Sequence, residues 1–271
     1  MAPDYRHIRL TNPAEGLLKI ELISSNTMWS LNEHSVTELL EGLTHFNGAE
    51  KYKVLVLAGS GPAFCVGADL NIDMSLNEEE LVPLLGESTR SQMEQLLNPL
   101  VEQLFNSNKA TICAVNGVVA GGGLGLALAA DIVIAAESAR FIQVFMPKLG
   151  IIPDLGCTWI MPRLVGRSRA MALGMLGDSI SAHQAETYGM IWRCVDDKLL
   201  EQEVETTARR LLSVPLSAIE AFKQAMKASE ENSYEQQLAL ECRLQTDLCG
   251  SKNFIEGVKA FKARRDPDFS F

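Results

Sequence analysis

Five glycines crowd into Asn116-Gly117-Val118-Val119-Ala120-Gly121-Gly122-Gly123-Leu124-Gly125, directly after the apolar run Thr111 to Val115. Residues without a Cβ let a backbone turn sharply and approach a ligand closely. The helix-like run that follows, Leu124 to Ala130, would aim its free N–H groups back at such a ligand. The stretch therefore predicts a strand that turns at once into a helix. Its purpose is either close packing or a backbone donor site for negative charge.

Two phosphate readings fail on residue type. A Walker loop ends in Gly-Lys-Ser/Thr, and no lysine lies between Lys109 and Lys148. A dinucleotide fingerprint read from Gly121 gives Gly123 and then Leu126 where a small residue belongs, and no ribose-binding acid follows in a clean βαβ setting. What remains for a donor site is an oxyanion hole, in which N–H groups meet charge developing on a carbonyl oxygen. A second segment can supply the partner donor. Lys53 to Ala58 reads as a strand and leads through Gly59-Ser60-Gly61-Pro62 into Ala63-Phe64-Cys65-Val66-Gly67-Ala68-Asp69-Leu70.

Composition narrows the class. The 271 residues are 47 % apolar and 21 % charged, enough for a substantial core, and the net charge of −10 disfavours nucleic acid and anionic membrane surfaces. Apart from Lys262 to Arg265 there is no basic cluster. Six scattered cysteines without a Cys-x-x-Cys pair suit a reducing cytoplasm. Met1 to Leu10 carries charges and no apolar core, so no signal peptide is expected, and no apolar run is long enough to span a membrane. His7, His34, His45 and His183 lie far from the glycine motifs and no cluster has metal spacing, so no metal is expected; a Gly-x-Ser-x-Gly elbow is missing too.

The early chain alternates strand and helix patterns: strands at 17–23, 54–57, 111–115 and 132–135, helices at 32–46 and 89–105. That order predicts an α/β core. Later residues read as helices at 168–176, 182–188, 199–212, 218–229, 234–248 and 253–264. Ser181-Ala-His-Gln184 has the form of a capping box, placing His183 on a solvent-facing first turn.

Chemistry then rests on carboxylates and backbone donors. Most of the 34 acidic residues belong to solvated helix faces, and three stand in apolar surroundings beside glycines: Asp69, Asp131 and Asp154. Asp69 reads as a turn-capping carboxylate and Asp131 as structural. Asp154, set between Ile151-Ile152-Pro153 and Leu155-Gly156-Cys157, fits two roles equally well. One is the N-cap of a helix running from about Gly156 to Leu164; the other is a base whose pKa an apolar pocket raises toward neutrality.

Phe64-Cys-Val-Gly-Ala-Asp-Leu70, the Asn116 to Gly123 stretch and Leu149-Gly-Ile-Ile-Pro-Asp-Leu-Gly156 stand in an order and at spacings that resemble the enoyl-CoA hydratase/isomerase (crotonase) superfamily, from about Leu18 to Phe269. Pro162-Arg-Leu-Val-Gly-Arg-Ser-Arg-Ala-Met171, Leu176-Gly-Asp-Ser-Ile-Ser181 and Gly189-Met-Ile-Trp-Arg-Cys-Val-Asp-Asp197 resemble its ring 1,2-epoxyphenylacetyl-CoA isomerase branch, which serves phenylacetate degradation. The resemblance implies a spiral core of ββα repeats over residues 1–200 and a helical trimerisation region over 201–271. It implies an acyl substrate carried as a coenzyme A thioester, with no permanently bound cofactor, and a homotrimer or dimer of trimers.

By the same resemblance Ala68 and Gly122 are the oxyanion donors and Asp154 holds the isomerase carboxylate position. Phe64, Val66, Ala68 and Gly122 are expected around the thioester, with Trp29, Leu97 and Trp159 as further candidates for the pocket wall. Phe261 and Arg264 match C-terminal positions that reach the adenosine part from a neighbouring subunit, whereas the lysines common near Phe64 and Asp69 are Pro62 and Asn71 here. Hydratases of the superfamily use two glutamates, whose positions are Gly125 and either Phe145 or Met146 in this chain. Dehalogenases pair an aspartate at position 154 with a histidine near Asn98. The expectation is therefore an acyl-CoA isomerase with one Asp base. The alternatives are a hydratase with a relocated base and a non-catalytic acyl-CoA-binding subunit.

Overall fold

The computed structural model describes residues 5–23, 28–73 and 75–269. Antiparallel strands β1 (Ile8–Ala14) and β2 (Leu17–Leu22) open the chain. Helix α1 (Glu33–Gly48) starts at Asn32, whose side chain accepts the Ser35 N–H while Ser35 Oγ accepts the Asn32 N–H, so two otherwise unpaired donors are satisfied reciprocally. Then β3 (Val54–Gly59) pairs with β2 in parallel, and the chain steps after three residues into β4 (Ala63–Cys65) of a second sheet.

The same step recurs. After α2 (Glu78–Gln92) and α3 (Asn98–Phe105), joined by one π-helical stretch at Met93–Leu97, strand β5 (Ala110–Val115) passes to β6 (Val118–Ala120). Helix α4 (Gly122–Leu128) returns the chain to β7 (Ile132–Ala136), which passes to β8 (Arg140–Ile142). Helices α5 (Cys157–Val165) and α6 (Arg167–Leu176) precede β9 (Ile180–Ser181), α7 (Ala182–Thr187) and β10 (Arg193–Val195). The result is a six-stranded sheet, β1-β2-β3-β5-β7-β10, and a four-stranded sheet, β4-β6-β8-β9, each mostly parallel. This is the expected ββα spiral.

Both faces of the larger sheet are covered, which is why its strands read as unbroken apolar runs. Leu55, Leu57, Cys113 and Val115 face the main core under α1 and α4, while Val54, Val56, Ala58, Ile112 and Ala114 face a second core. Helix α8 (Leu200–Leu212) covers that second core with Leu200, Val204 and Ala208, spaced i, i+4, i+8 along one stripe. By packing, α8 goes with the sheet. Helices α9 (Leu216–Ala228), α10 (Tyr234–Cys249) and α11 (Lys252–Ala263) follow it. They leave Phe222, Met226, Phe254, Ile255 and Phe261 exposed.

One polar network ties α9 to the sheet. Asp131 Oδ2 accepts from the backbone N–H and the hydroxyl of fully buried Thr111, and Lys223 Nζ lies 2.7 Å from Asp131 Oδ1 while also donating to the Lys109 carbonyl. Asp131 is thus structural, as its sequence context suggested. Asp131→Ala should lower the unfolding free energy by about 1–3 kcal/mol, because a buried donor loses its partner. A shift of the urea midpoint at unchanged slope would measure it.

Candidate active site

The two glycine segments meet through backbone alone. Gly67 follows β4 with φ +89, and Gly121 precedes α4 with φ +53, conformations that suit a residue without a Cβ. A Cβ on Gly67 would lie 3.0 Å from the Ala120 carbonyl oxygen and 3.2 Å from the Gly122 nitrogen; one on Gly123 would lie 2.4 Å from the Cys65 carbonyl oxygen. Side chains at these points would separate the segments. Asn116 Nδ2 donates to the Gly61 carbonyl at 2.7 Å and so ties the turn before β6 to the turn before β4.

The N–H groups of Ala68 and Gly122 take no part in the ladder or the helix that flank them. Leu31 N–H donates to the Gly67 carbonyl and Asp69 N–H donates to the Leu31 carbonyl, so this parallel bridge turns the polar groups of Ala68 away from Leu31. Gly122 opens α4, where the first N–H groups have no intrahelical acceptor. Asp69 Oδ1 accepts from Asn71 N–H and caps its own turn, as expected.

Asp154 stands beside Gly122: its Oδ1 lies 3.8 Å from where a Gly122 Cβ would be. That oxygen is buried and, among the described residues, has no hydrogen-bond partner. Burial pushes the carboxyl up to about 6, against a smaller opposing effect of its own backbone N–H. Of the two roles open to Asp154 from sequence, the helix cap is excluded. The N-cap of α5 is Gly156, with φ +79, and no side chain caps it; the Asp154 backbone carbonyl, not its carboxylate, accepts the Cys157 N–H at 2.9 Å.

Other expected positions fall in different places. Phe64 is corrected: its side chain is 0 % exposed within the main core, because β4 is covered on both sides, so it packs beneath the segment that leads to Ala68 and faces no open surface. Val66 is half-buried and its N–H donates to the Trp29 carbonyl at 3.0 Å. Trp29 is itself buried, with its ring nitrogen on the His7 carbonyl. Leu97 ends the π-helical stretch, and Trp159 is 38 % exposed, edge-on to Phe105 and under the Arg163 guanidinium. Phe261 is 86 % exposed on α11, and Arg264 caps that helix with φ +52. His183 occupies the exposed first turn of α7 behind the Ser181 and Gln184 capping box. Sequence reasoning missed Leu31 and Leu155, whose side chains flank Gly122 at 2.9 and 3.0 Å from a notional Cβ. An apolar side chain in an apolar run carries no signal of such a role.

Among the described residues no group of His, Cys, Asp and Glu side chains could hold a metal ion, and no helix is long and apolar enough to cross a membrane. Residues 12–270 match the family model described as enoyl-CoA hydratase/isomerase. The chain is 41 % identical over 261 residues to the 1,2-epoxyphenylacetyl-CoA isomerase of Escherichia coli (strain K12), covering 96 % of this chain and 97 % of that protein. It is 39 % identical over 257 residues to a probable enoyl-CoA hydratase of Rhodobacter capsulatus, covering 95 % of each. The crystal structure of enoyl-CoA hydratase from Bacillus anthracis superimposes with a TM-score of 0.85 at 31 % identity, over 97 % of this chain and 98 % of that one. The chain belongs to the enoyl-CoA hydratase/isomerase (crotonase) superfamily and has its fold.

The buried Asp154 carboxyl has a thermodynamic signature. A raised folded-state pKa means that the native state holds its proton more tightly than the unfolded chain, so this group lowers stability as pH rises from about 4 to about 6 and the whole penalty is present above that window. Asp154→Asn should therefore stabilise the protein at pH 7.5 by about 1–2 kcal/mol, after discounting for partial solvent access, and give no such gain at pH 4. Thermal melts of both proteins at the two pH values would read the difference.

Proposed function

We propose that this chain is an acyl-CoA isomerase that uses one carboxylate and an oxyanion hole to move a proton between two carbons of a coenzyme A thioester. The observation that carries the reading is the buried, unpartnered Asp154 oxygen beside Gly122. Ala68 and Gly122 donate their N–H groups to the thioester oxygen and stabilise the enolate or dienolate formed when Asp154 takes a proton. Each such donor is typically worth about 3 kcal/mol in the transition state. The protonated Asp154 then returns the proton to a different carbon of the conjugated system, so no atom is gained or lost.

Hydration needs a second acid or base to activate water, and the positions that could supply one do not carry it. Gly125 has no side chain, Phe145 is buried, and Met146 is 40 % exposed and not ionisable. The isomerase named among the relatives supports the same class, and a ring 1,2-epoxyphenylacetyl group or an unsaturated acyl chain is the substrate class proposed. Phe261 and Arg264 are proposed to meet the coenzyme A of a neighbouring subunit, with the exposed apolar residues of α9 and α11 buried between subunits of a trimer or dimer of trimers in the cytoplasm. Light scattering should return a multiple of three; a monomer at micromolar concentration would count against that shared site.

Asp154→Asn tests the chemistry. Turnover should fall by about 10²-fold or more, and exchange of substrate Cα or Cγ protons in deuterated water, followed by mass spectrometry, should stop. In the parent enzyme kcat/KM should rise with pH to a plateau above about 6, because the base acts only when ionised. Exchange and turnover near the parent rate in the folded variant would remove Asp154 from the mechanism. Gly122→Pro, which deletes the proposed donor, should likewise abolish turnover in protein shown to fold.

A further inference from the structure

The turn that carries Asp154 is built from two successive left-handed residues, Leu155 with φ +47 and Gly156 with φ +79, and is closed by Cys157 N–H donating to the Asp154 carbonyl at 2.9 Å. Positive φ at both central positions is the mark of a type I′ turn, which favours Gly, Asn or Asp because a larger side chain crowds the backbone there. A leucine is held in this conformation only by its surroundings.

Those surroundings belong to α4. Leu155 is 2 % exposed; its Cδ1 lies 3.0 Å from a notional Gly122 Cβ. Its carbonyl oxygen and Cβ lie 2.4 and 2.6 Å from a notional Gly125 Cβ. Gly122 and Gly125 are three residues apart and share one face of the helix. The helix that opens at the proposed donor thus also receives the turn that bears the carboxylate, and any side chain at 125 would have to displace Leu155. Asp154 Oδ1 has no hydrogen bond to fix it. Its placement comes from the backbone of the turn.

We propose that Leu155, docked in its left-handed conformation on the bare face of Gly125, is the positioning residue that holds the Asp154 carboxylate beside Gly122, and that the Gly125–Leu155 contact sets the proton-transfer geometry. The proposal rests on Asp154 being the base. The Cys157 thiol, pushed up to about 12 chiefly by burial and further by the Asp154 charge, stays neutral through the working pH range.

Gly125→Ala and Leu155→Gly, prepared as full-length assembled protein, test it alongside Asp154→Asn. Misplacing a reacting group by about 1 Å costs about 10²-fold, so both variants should lose about that much in kcat while KM stays within about 3-fold. The acid limb of kcat should move below about 6 as the loosened turn admits water. A purely structural contact would lower melting temperature and leave kcat and the acid limb in place, and that result in folded Gly125→Ala overturns the proposal. If Gly125→Ala does not fold, Leu155→Gly decides alone, since it adds no atom and relieves the left-handed strain; parent-like kcat there overturns the proposal. Parent-like variants beside an inactive Asp154→Asn reject the positioning role only, whereas an active Asp154→Asn rejects the base and this proposal together.

Discussion

Contact between two glycine backbones holds the molecule to its design. Gly123 brings the start of α4 to a separation from the Cys65 carbonyl that no Cβ permits, and Gly67 packs tightly against Ala120 and Gly122 beside it. That contact joins the second and third turns of the spiral. It also leaves two N–H groups that neither the sheets nor the helix can satisfy. Gly122 is buried, where an N–H without an acceptor is costly, and Ala68 is exposed, so the pair spans the boundary between core and surface.

The recurrent step from the large sheet to the small one follows from short connections. Strands β3, β5 and β7 each end within four residues of the start of β4, β6 or β8, too short for a crossover within one sheet. The chain must turn across instead, and a helix brings it back. Three such steps stack the small strands in parallel, so the segments after β4 and β6 reach the same end of the small sheet.

Asp154 shows the opposite economy. Stable proteins pair or solvate their carboxylates, but this one is held in apolar company with an oxygen that no group of the described chain engages. Strain is concentrated in the same place, since Leu155 is one of two non-glycine residues with positive φ among those described. The other, Arg264, merely ends a helix. A raised carboxyl and a strained turn side by side cost stability for a geometry the core by itself does not need.

The four central strands of the larger sheet (β2, β3, β5 and β7), α1 and the late helices were legible in the sequence because each follows a local rule: apolar runs for doubly covered strands and 3.6-residue stripes for helices. The small sheet beyond its first motif, and the edge strand β10 of the larger one, were not legible, because strands of two or three residues such as β8, β9 and β10 carry too little pattern to be told from loops. The glycine motifs and Asp154 were likewise visible as residues, and their spacing identified the superfamily. Sequence alone left Asp154 balanced between cap and base, and gave Phe64 a ligand-facing place that burial denies it. Both depend on direction, which is a property of packed elements. The chain's own residues determined which groups were available, since backbone freedom and side-chain chemistry are local. Only the tertiary structure decided which of them face one another, because the approach of Leu155 to Gly125 and of Gly67 to Gly122 joins segments distant in sequence whose positions are set by the core between them.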